Sequence, residues 1–184
     1  ALGQIDAVVT PAGNHLIIPW FDRLSVPVAY ITGARTRNSV RFDSYAFGKM
    51  AAEALTRAGS RRIGLVMGWS RHTYPSYGLT SMASRDLLNG LRSAARARGI
   101  DVSDDWIEGV EDRPGISEDQ HAERGYAMTR HLLQAHPDLD GLVVYPDGMA
   151  QGAACAVLER GPDAPLPNLV FHRNREIPFF CPLP

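Results

Sequence analysis

SVRFDSYAFGKMAAEALTRAGSRRIGLVMG, residues 39–68, runs from an extended segment through a helix into a strand. Between 44 and 58 the apolar side chains recur at spacings of three and four, the period of one helix face. Arg57 then stands in the last turn and Gly59 follows it, a basic residue for the carbonyl end of the helix dipole and a glycine for a left-handed cap. Ile63 to Met67 is apolar at nearly every position, as a strand is when both faces of its sheet are covered. Helix, cap and buried strand in succession are the repeating unit of a parallel sheet with crossover helices.

The rest of the chain repeats that unit. IDAVVT, VPVAYI, DWIEGV, LDGLVVY and NLVFH read as further strands, and the helical period returns over 84–98, 121–135 and 149–160. Gly99 and Gly161 close two of these helices behind basic residues, as Gly59 does. The irregular stretches 68–80, 112–120 and 161–167 are expected as surface loops. The expected class is α/β, with parallel sheets flanked by helices. In such sheets the ligand crevice lies beyond the carboxyl ends of the strands, which directs attention to the residues that follow each strand.

Bulk properties exclude several function classes. The 184 residues are 45% hydrophobic and 21% charged, as in an ordinary folded protein, and the formal net charge is −1. No Lys/Arg cluster is present to hold a polyanion, so nucleic acid would have to be gripped by another segment. No apolar run approaches the ~20 residues a membrane helix needs. Cys155 and Cys181 are read as free thiols and the setting as cytoplasmic.

Motifs for chemistry are missing. GWSRH, residues 68–72, lacks the second glycine of a nucleophile elbow. The histidines have no HExxH or ligand spacing, so no metal is expected, and His121 and His131 are read as lying on solvated helix faces. No GxGxxG or GxxxxGK[ST] follows a strand, and no cofactor is expected. Asp101, Asp104 and Asp105 lack the spacing of a calcium loop and are read as the turn into Trp106.

The stretch 39–68, with Asp43 on an extended segment, Gly48 five residues on and Gly59 before a strand, resembles LacI/GalR-type transcription regulators. NGLRSAARARGI, LDGLVVYPDGMAQGAACAVLERG and NLVFH follow in compatible order. The resemblance implies a core like the type I periplasmic binding proteins, with two subdomains joined by crossing strands and a small-molecule effector between them. On that mapping residues 1–42 are the second half of the N-terminal subdomain, 43–172 the C-terminal effector-binding subdomain, and 173–184 the start of the return crossover. The N-terminal subdomain is then incomplete and its half-sheet has an unpaired edge. Operator DNA would be bound only through a headpiece absent from this chain. A homodimer is implied, with no enzymatic activity and no membrane. A solute-binding protein of a transporter or chemoreceptor system shares the architecture and is the alternative.

The candidate ligand residues are Phe42, Asp43, Trp69, Arg85, Asp147 and Arg173. Phe42 and Trp69 are placed to stack on a ring or to pack in the core. Asp147 is placed to contact ligand or to cap the next helix. The chain departs from the sugar-reading pattern: Leu87 stands where many such regulators have arginine, Pro146-Asp147 replaces Asn-Asp, and Thr32 and Arg173 replace acidic residues. Arg173 suits an anionic sugar derivative, or else pairs with Glu176 or Asp147.

Overall fold

Among the described residues every paired strand runs parallel to its neighbour, and the strands fall into two sheets. The computed structural model describes residues 5–10, 18–31, 38–68, 80–100, 102–109 and 119–172. The first sheet holds β1 (Val8–Thr10), β2 (Val28–Ile31) and β3 (Ser39–Val40) in that order, with one helical turn, α1 (Ile18–Phe21), between β1 and β2. After α2 (Ser44–Arg57) the second sheet is built from β4 (Ile63–Met67), β5 (Ile107–Gly109), β6 (Gly141–Tyr145) and β7 (Asn168–Phe171), in spatial order β5-β4-β6-β7. The helices α3 (Thr80–Arg96), α4 (Asp119–Ala135) and α5 (Ala150–Leu158) connect its successive strands.

All six strands read from the sequence are present, the extended segment expected before Asp43 pairs as β3, and α1 was not foreseen. β3 is only two residues long, and its register depends on a contact that no pattern reports. Asn38 takes a left-handed φ of 54°, which asparagine tolerates, and its carbonyl accepts the Tyr30 N–H at 2.9 Å. α1 is a single turn, too short for any periodicity. Helix limits also moved. α3 begins before residue 84, and α5 ends before 160, preceded by a 3-10 turn at Asp147–Met149.

The second sheet is covered on both faces, which is why its strands read as unbroken apolar runs. Ile63, Leu65, Met67 and Val143 pack with Leu55, Leu87 and Leu91 in one core. Val66, Leu142 and Val144 pack with Leu132, Leu133, Met149 and Val157 in the other. Each fully buried aliphatic side chain contributes about 1.5–3 kcal/mol of transfer free energy.

Each helix layer closes at a glycine pair. A Cβ on Gly48 would collide with the carbonyl oxygen of Leu87, and one on Gly90 with that of Tyr45, so α2 and α3 cross with their backbones touching. Gly125 and Gly152 do the same for α4, the turn at Met149 and α5. The expected caps Gly59, Gly99 and Gly161 all have positive φ, of 94°, 70° and 85°.

At the amino ends of the strands the second sheet is tied together by polar bonds. The Asp140 carboxylate accepts the backbone N–H groups of Arg61 and Arg62 at 2.8–2.9 Å. Ser60 Oγ donates to the Asp140 carbonyl at 3.0 Å and accepts from Asn168 Nδ2 at 3.1 Å. The opposite, carboxyl ends are left for a site.

The first sheet is covered differently. Its register puts Val9, Ala29, Ile31 and Val40 on one face, and Val9 and Val40 are 69% and 70% exposed. On the other face Tyr30 is buried against Phe21.

Candidate functional site

The order of strand addition reverses in the second sheet between the parallel neighbours β4 and β6, with β5 added on one side and β7 on the other. A reversal of strand order opens a crevice at the carboxyl ends of the two central strands, because their connections leave to opposite faces. Here those ends are Met67-Gly68 and Tyr145, held together where Gly68 N–H donates to the Tyr145 carbonyl at 2.6 Å. Beside them a cavity of ≈ 470 Å³ opens between the two sheets. Ile31, Val40, Arg41 and Phe42 form one wall, and Ser44, Ala83, Asp86 and Tyr145 the other.

Aromatic rings frame this cavity. The Phe42 ring lies 4.1 Å from that of His172 and 6.2 Å from that of Phe47, which in turn sits 6.1 Å from Tyr145. Phe42 is 46% exposed, so one face of its ring is available to stack on a ligand ring. His172 Nδ1 is buried without a hydrogen-bond partner among the described residues. Burial, and then the charge of Asp147, push the Tyr145 phenol above its ordinary pKa, while its hydrogen bond with the buried Ser44 pulls the other way. The phenol therefore stays protonated at neutral pH and available as a hydrogen-bond donor.

The ionic groups are few. An Arg41 guanidinium nitrogen lies 3.8 Å from the Asp86 carboxylate, joining the segment that leaves the first sheet to the helix packed on the second. Among the described residues no group of three or more His, Cys, Asp or Glu side chains is placed to hold a metal ion. No described helix is long and apolar enough to cross a membrane. A second hollow along Asn89, Arg92, Ser93, Arg96 and Ala97 is bordered, among the described residues, by α3 and the residue that follows it.

The candidate residues from the sequence separate in space. Phe42 stands in the cavity wall. Asp43, adjacent to it, is the N-cap of α2, where its Oδ1 accepts the Ala46 N–H at 2.9 Å. Arg85 is exposed on α3 and is not in the cavity wall, whereas its neighbour Asp86 is. Leu87 is fully buried in the core, facing away from Arg85 as helical rotation requires.

Asp147 does not cap α5, whose N-cap is Met149 without a side-chain bond; its Oδ1 instead accepts the Gly148 N–H at 3.1 Å. Trp69, Arg173, Thr32 and Cys181 lie outside the described residues. Cys155 is a free, exposed thiol. Of the two helix histidines, His131 is exposed with Nδ1 2.5 Å from Glu108, but His121 is half-buried over Gly148. Gly148 has no side chain to keep the imidazole away, and for that reason His121 departs from the solvated position expected of it.

Arg41, Phe47, Asp86, Tyr145 and His172 escaped the sequence reading. Tyr145 and His172 are the last residues of two strand-like runs, where the strand pattern hides a residue that reaches past the sheet. Arg41 and Asp86 carry no sequence signal, since their proximity depends on how the two sheets meet.

No protein-family model matches the chain, and no curated protein does. Solved structures do match. A sugar-binding LacI-family transcriptional regulator from Escherichia coli, complexed with phosphate, superposes with a TM-score of 0.67 at 23% identity, over 94% of this chain and 59% of that one. A LacI-type transcriptional regulator from Bacillus cereus subsp. cytotoxis gives 0.69 at 19% identity, over 94% and 58%. The transcriptional regulator CelR in complex with cellobiose gives 0.65 at 21% identity, over 91% and 48%. This chain thus spans three-fifths or less of the chains it resembles, and its fold is that of LacI-family transcriptional regulators.

Proposed function

We propose that this chain is the effector-sensing core of a LacI-type bacterial transcription regulator, binding a sugar or sugar derivative between its two sheets. The observation that carries the reading is the cavity at the switch point, with one wall from the first sheet and the crossing segment, including the exposed Phe42 ring, and the other from α2, α3 and Tyr145 at the end of β6. Its position across the crossing segment makes ligand contact depend on how the sheets are set relative to each other. A ligand that fits one setting better than another shifts the balance between them, and that difference is all an effector can transmit. The structural neighbours add support, one of them being a complex with cellobiose. DNA would be bound by a part of the regulator outside these 184 residues. Residues 1–42 and 43–172 would act as the two moving bodies of a homodimer's subunit.

Thermal unfolding with a panel of neutral and acidic sugars tests the reading. A true effector at 100 times its Kd raises stability by about 2.7 kcal/mol. Absence of stabilisation by every sugar and sugar derivative would count against it. Sequencing the coding region upstream separates the two uses of the architecture, because a helix-turn-helix segment supports regulation and a secretion signal supports solute uptake.

A further inference from the structure

The two ends of α3 serve different hollows. Ala83 and Asp86, in its first half, line the cavity between the sheets, whereas Asn89, Arg92, Ser93, Arg96 and Ala97 border a hollow of ≈ 580 Å³ along its second half. Ser93, at the middle of that hollow, lies about 10 Å beyond Asp86 along the helix axis. Helical spacing explains its shape. Arg92 and Arg96, four residues apart, make one row on the helix surface, and Asn89, Ser93 and Ala97, also four apart, make the next. The second row is short, so it floors a trough beside the long arginine stems. Two guanidinium forks, a carboxamide and a hydroxyl line it, and Ala97 alone of the lining side chains is apolar.

Solvation alone does not explain the arginine row. Like charges four residues apart on a helix repel, and the residues three and four positions from Arg92, which are Leu88, Asn89, Ala95 and Arg96, include no acid to offset it. The helix dipole accounts for Arg96 in the last turn but not for Arg92 one turn earlier. What Arg92 has is an anion from outside the helix, its Nη2 donating to Asp104 Oδ1 at 2.8 Å. The Asp104 side chain is 72% exposed, so water competes well for it and the pair is weakly held. Arg96 has no hydrogen-bond or ion-pair partner among the described residues.

Asp104 shows the chemistry the trough accepts, but the two oxygens of a carboxylate do not fill it. A phosphoryl group brings three oxygens and nearly two negative charges, enough to accept from both guanidinium forks and from the Ser93 hydroxyl at once. The guanidinium fork also matches phosphate oxygens in geometry. A protein partner would find no apolar anchor here, which stable interfaces place at their centre. Nucleic acid would need a longer row of cations than two.

We propose that this trough on α3 binds the phosphate group of a small phosphorylated molecule, held between Arg92 and Arg96 with Ser93 and Asn89 donating to it, and that the entering phosphate displaces Asp104 from Arg92. Asp104 occupies the guanidinium while the trough is empty and so competes with every incoming anion. The site is separate from the cavity between the sheets and does not depend on the sensing role argued above.

NMR titration of the isotope-labelled 184-residue chain tests this, with ribose 5-phosphate, pyrophosphate and inorganic phosphate as probes and ionic strength held constant with sodium chloride. Amide signals over 89–97 and 104–106 are expected to shift with ribose 5-phosphate and to stay in place with ribose. R92Q and R96Q should each weaken binding about 3- to 10-fold, between the worth of an exposed ion pair and that of a buried charge-assisted hydrogen bond. D104N, which removes the competing acid, should tighten it about 1.5- to 5-fold. R92K and R96K keep the charge without the fork, should fall between the parent and the glutamine variants, and replace any glutamine variant whose unfolding midpoint drops. Signals over 89–97 unmoved by every probe, or an affinity unchanged in both R92Q and R96Q, overturns the site. Binding of inorganic phosphate alone overturns the phosphorylated molecule in favour of the free ion, and weaker binding in D104N overturns the displacement of Asp104. Oligoglutamate or a short DNA duplex binding this face more tightly than ribose 5-phosphate overturns the small ligand.

Discussion

Adding one methyl group at Gly90 should separate α2 from α3 and loosen the core beneath the site. In G90A the new Cβ would stand 2.9 Å from the Tyr45 carbonyl carbon and 3.1 Å from its Cα, and closer still to its oxygen. These are backbone atoms of a helix and have no rotamer by which to retreat. The helices must part by the better part of an ångström or more, which draws Leu87 and Leu91 away from Ala51, Ala52 and Leu55. Overpacking of this kind costs about 1–3 kcal/mol, and parting the layers adds lost dispersion contacts.

Against that, alanine is the better helix former by about 1 kcal/mol. The net expectation is a loss of roughly 1–3 kcal/mol, seen as an unfolding midpoint lowered by roughly 2–12 °C for a chain of this size. Differential scanning calorimetry measures it, with exposed Ser93→Ala on the same helix as the control. The pair G48A and G90A should be less than additive, since one separation relieves both clashes. An unfolding midpoint for G90A at or above that of the parent would refute the backbone-contact account of this crossing.

Asp43→Ala should lower stability by about 1 kcal/mol through loss of the α2 cap, and Asp43→Asn should restore most of it; a sugar affinity reduced in D43N at full stability would show a second, ligand-binding role. Thr129 is fully buried with its hydroxyl unpartnered among the described residues, so Thr129→Val should leave stability unchanged or raise it by about 1 kcal/mol in urea titration; a clear loss would reveal a hidden partner. The Tyr30 phenol is pushed up to about 12 by burial first, and next by its hydrogen bond and charge interaction with Asp22. Its folded pKa lies above the ordinary value of 10, so its contribution is complete below pH 10 and is lost as the pH rises toward 12. Circular dichroism across that interval should show Tyr30→Phe losing structure at higher pH than the parent, and identical alkaline transitions would exclude Tyr30 as the group responsible.

The class and most of the elements were legible in local pattern. Residues 44–58 and 63–67 carry a helical period and an apolar run strong enough to be read alone, and Gly59, Gly99 and Gly161 mark helix ends because only a residue without Cβ enters their backbone region cheaply. The loose parts of the reading were those decided elsewhere. Asp147 had a capping sequence context, yet the chain makes a 3-10 turn first, and the α5 cap passes to Met149.

Contiguous residues thus carry the parallel architecture, because periodicity and caps are local properties of the chain. Tertiary structure alone decided which side chains share the cavity. Arg41 meets Asp86, Phe42 meets His172, and Phe47 meets Tyr145 only once two sheets and a crossing segment are set against one another. Such contacts join residues tens of positions apart, and neither partner leaves a mark in the residues beside it.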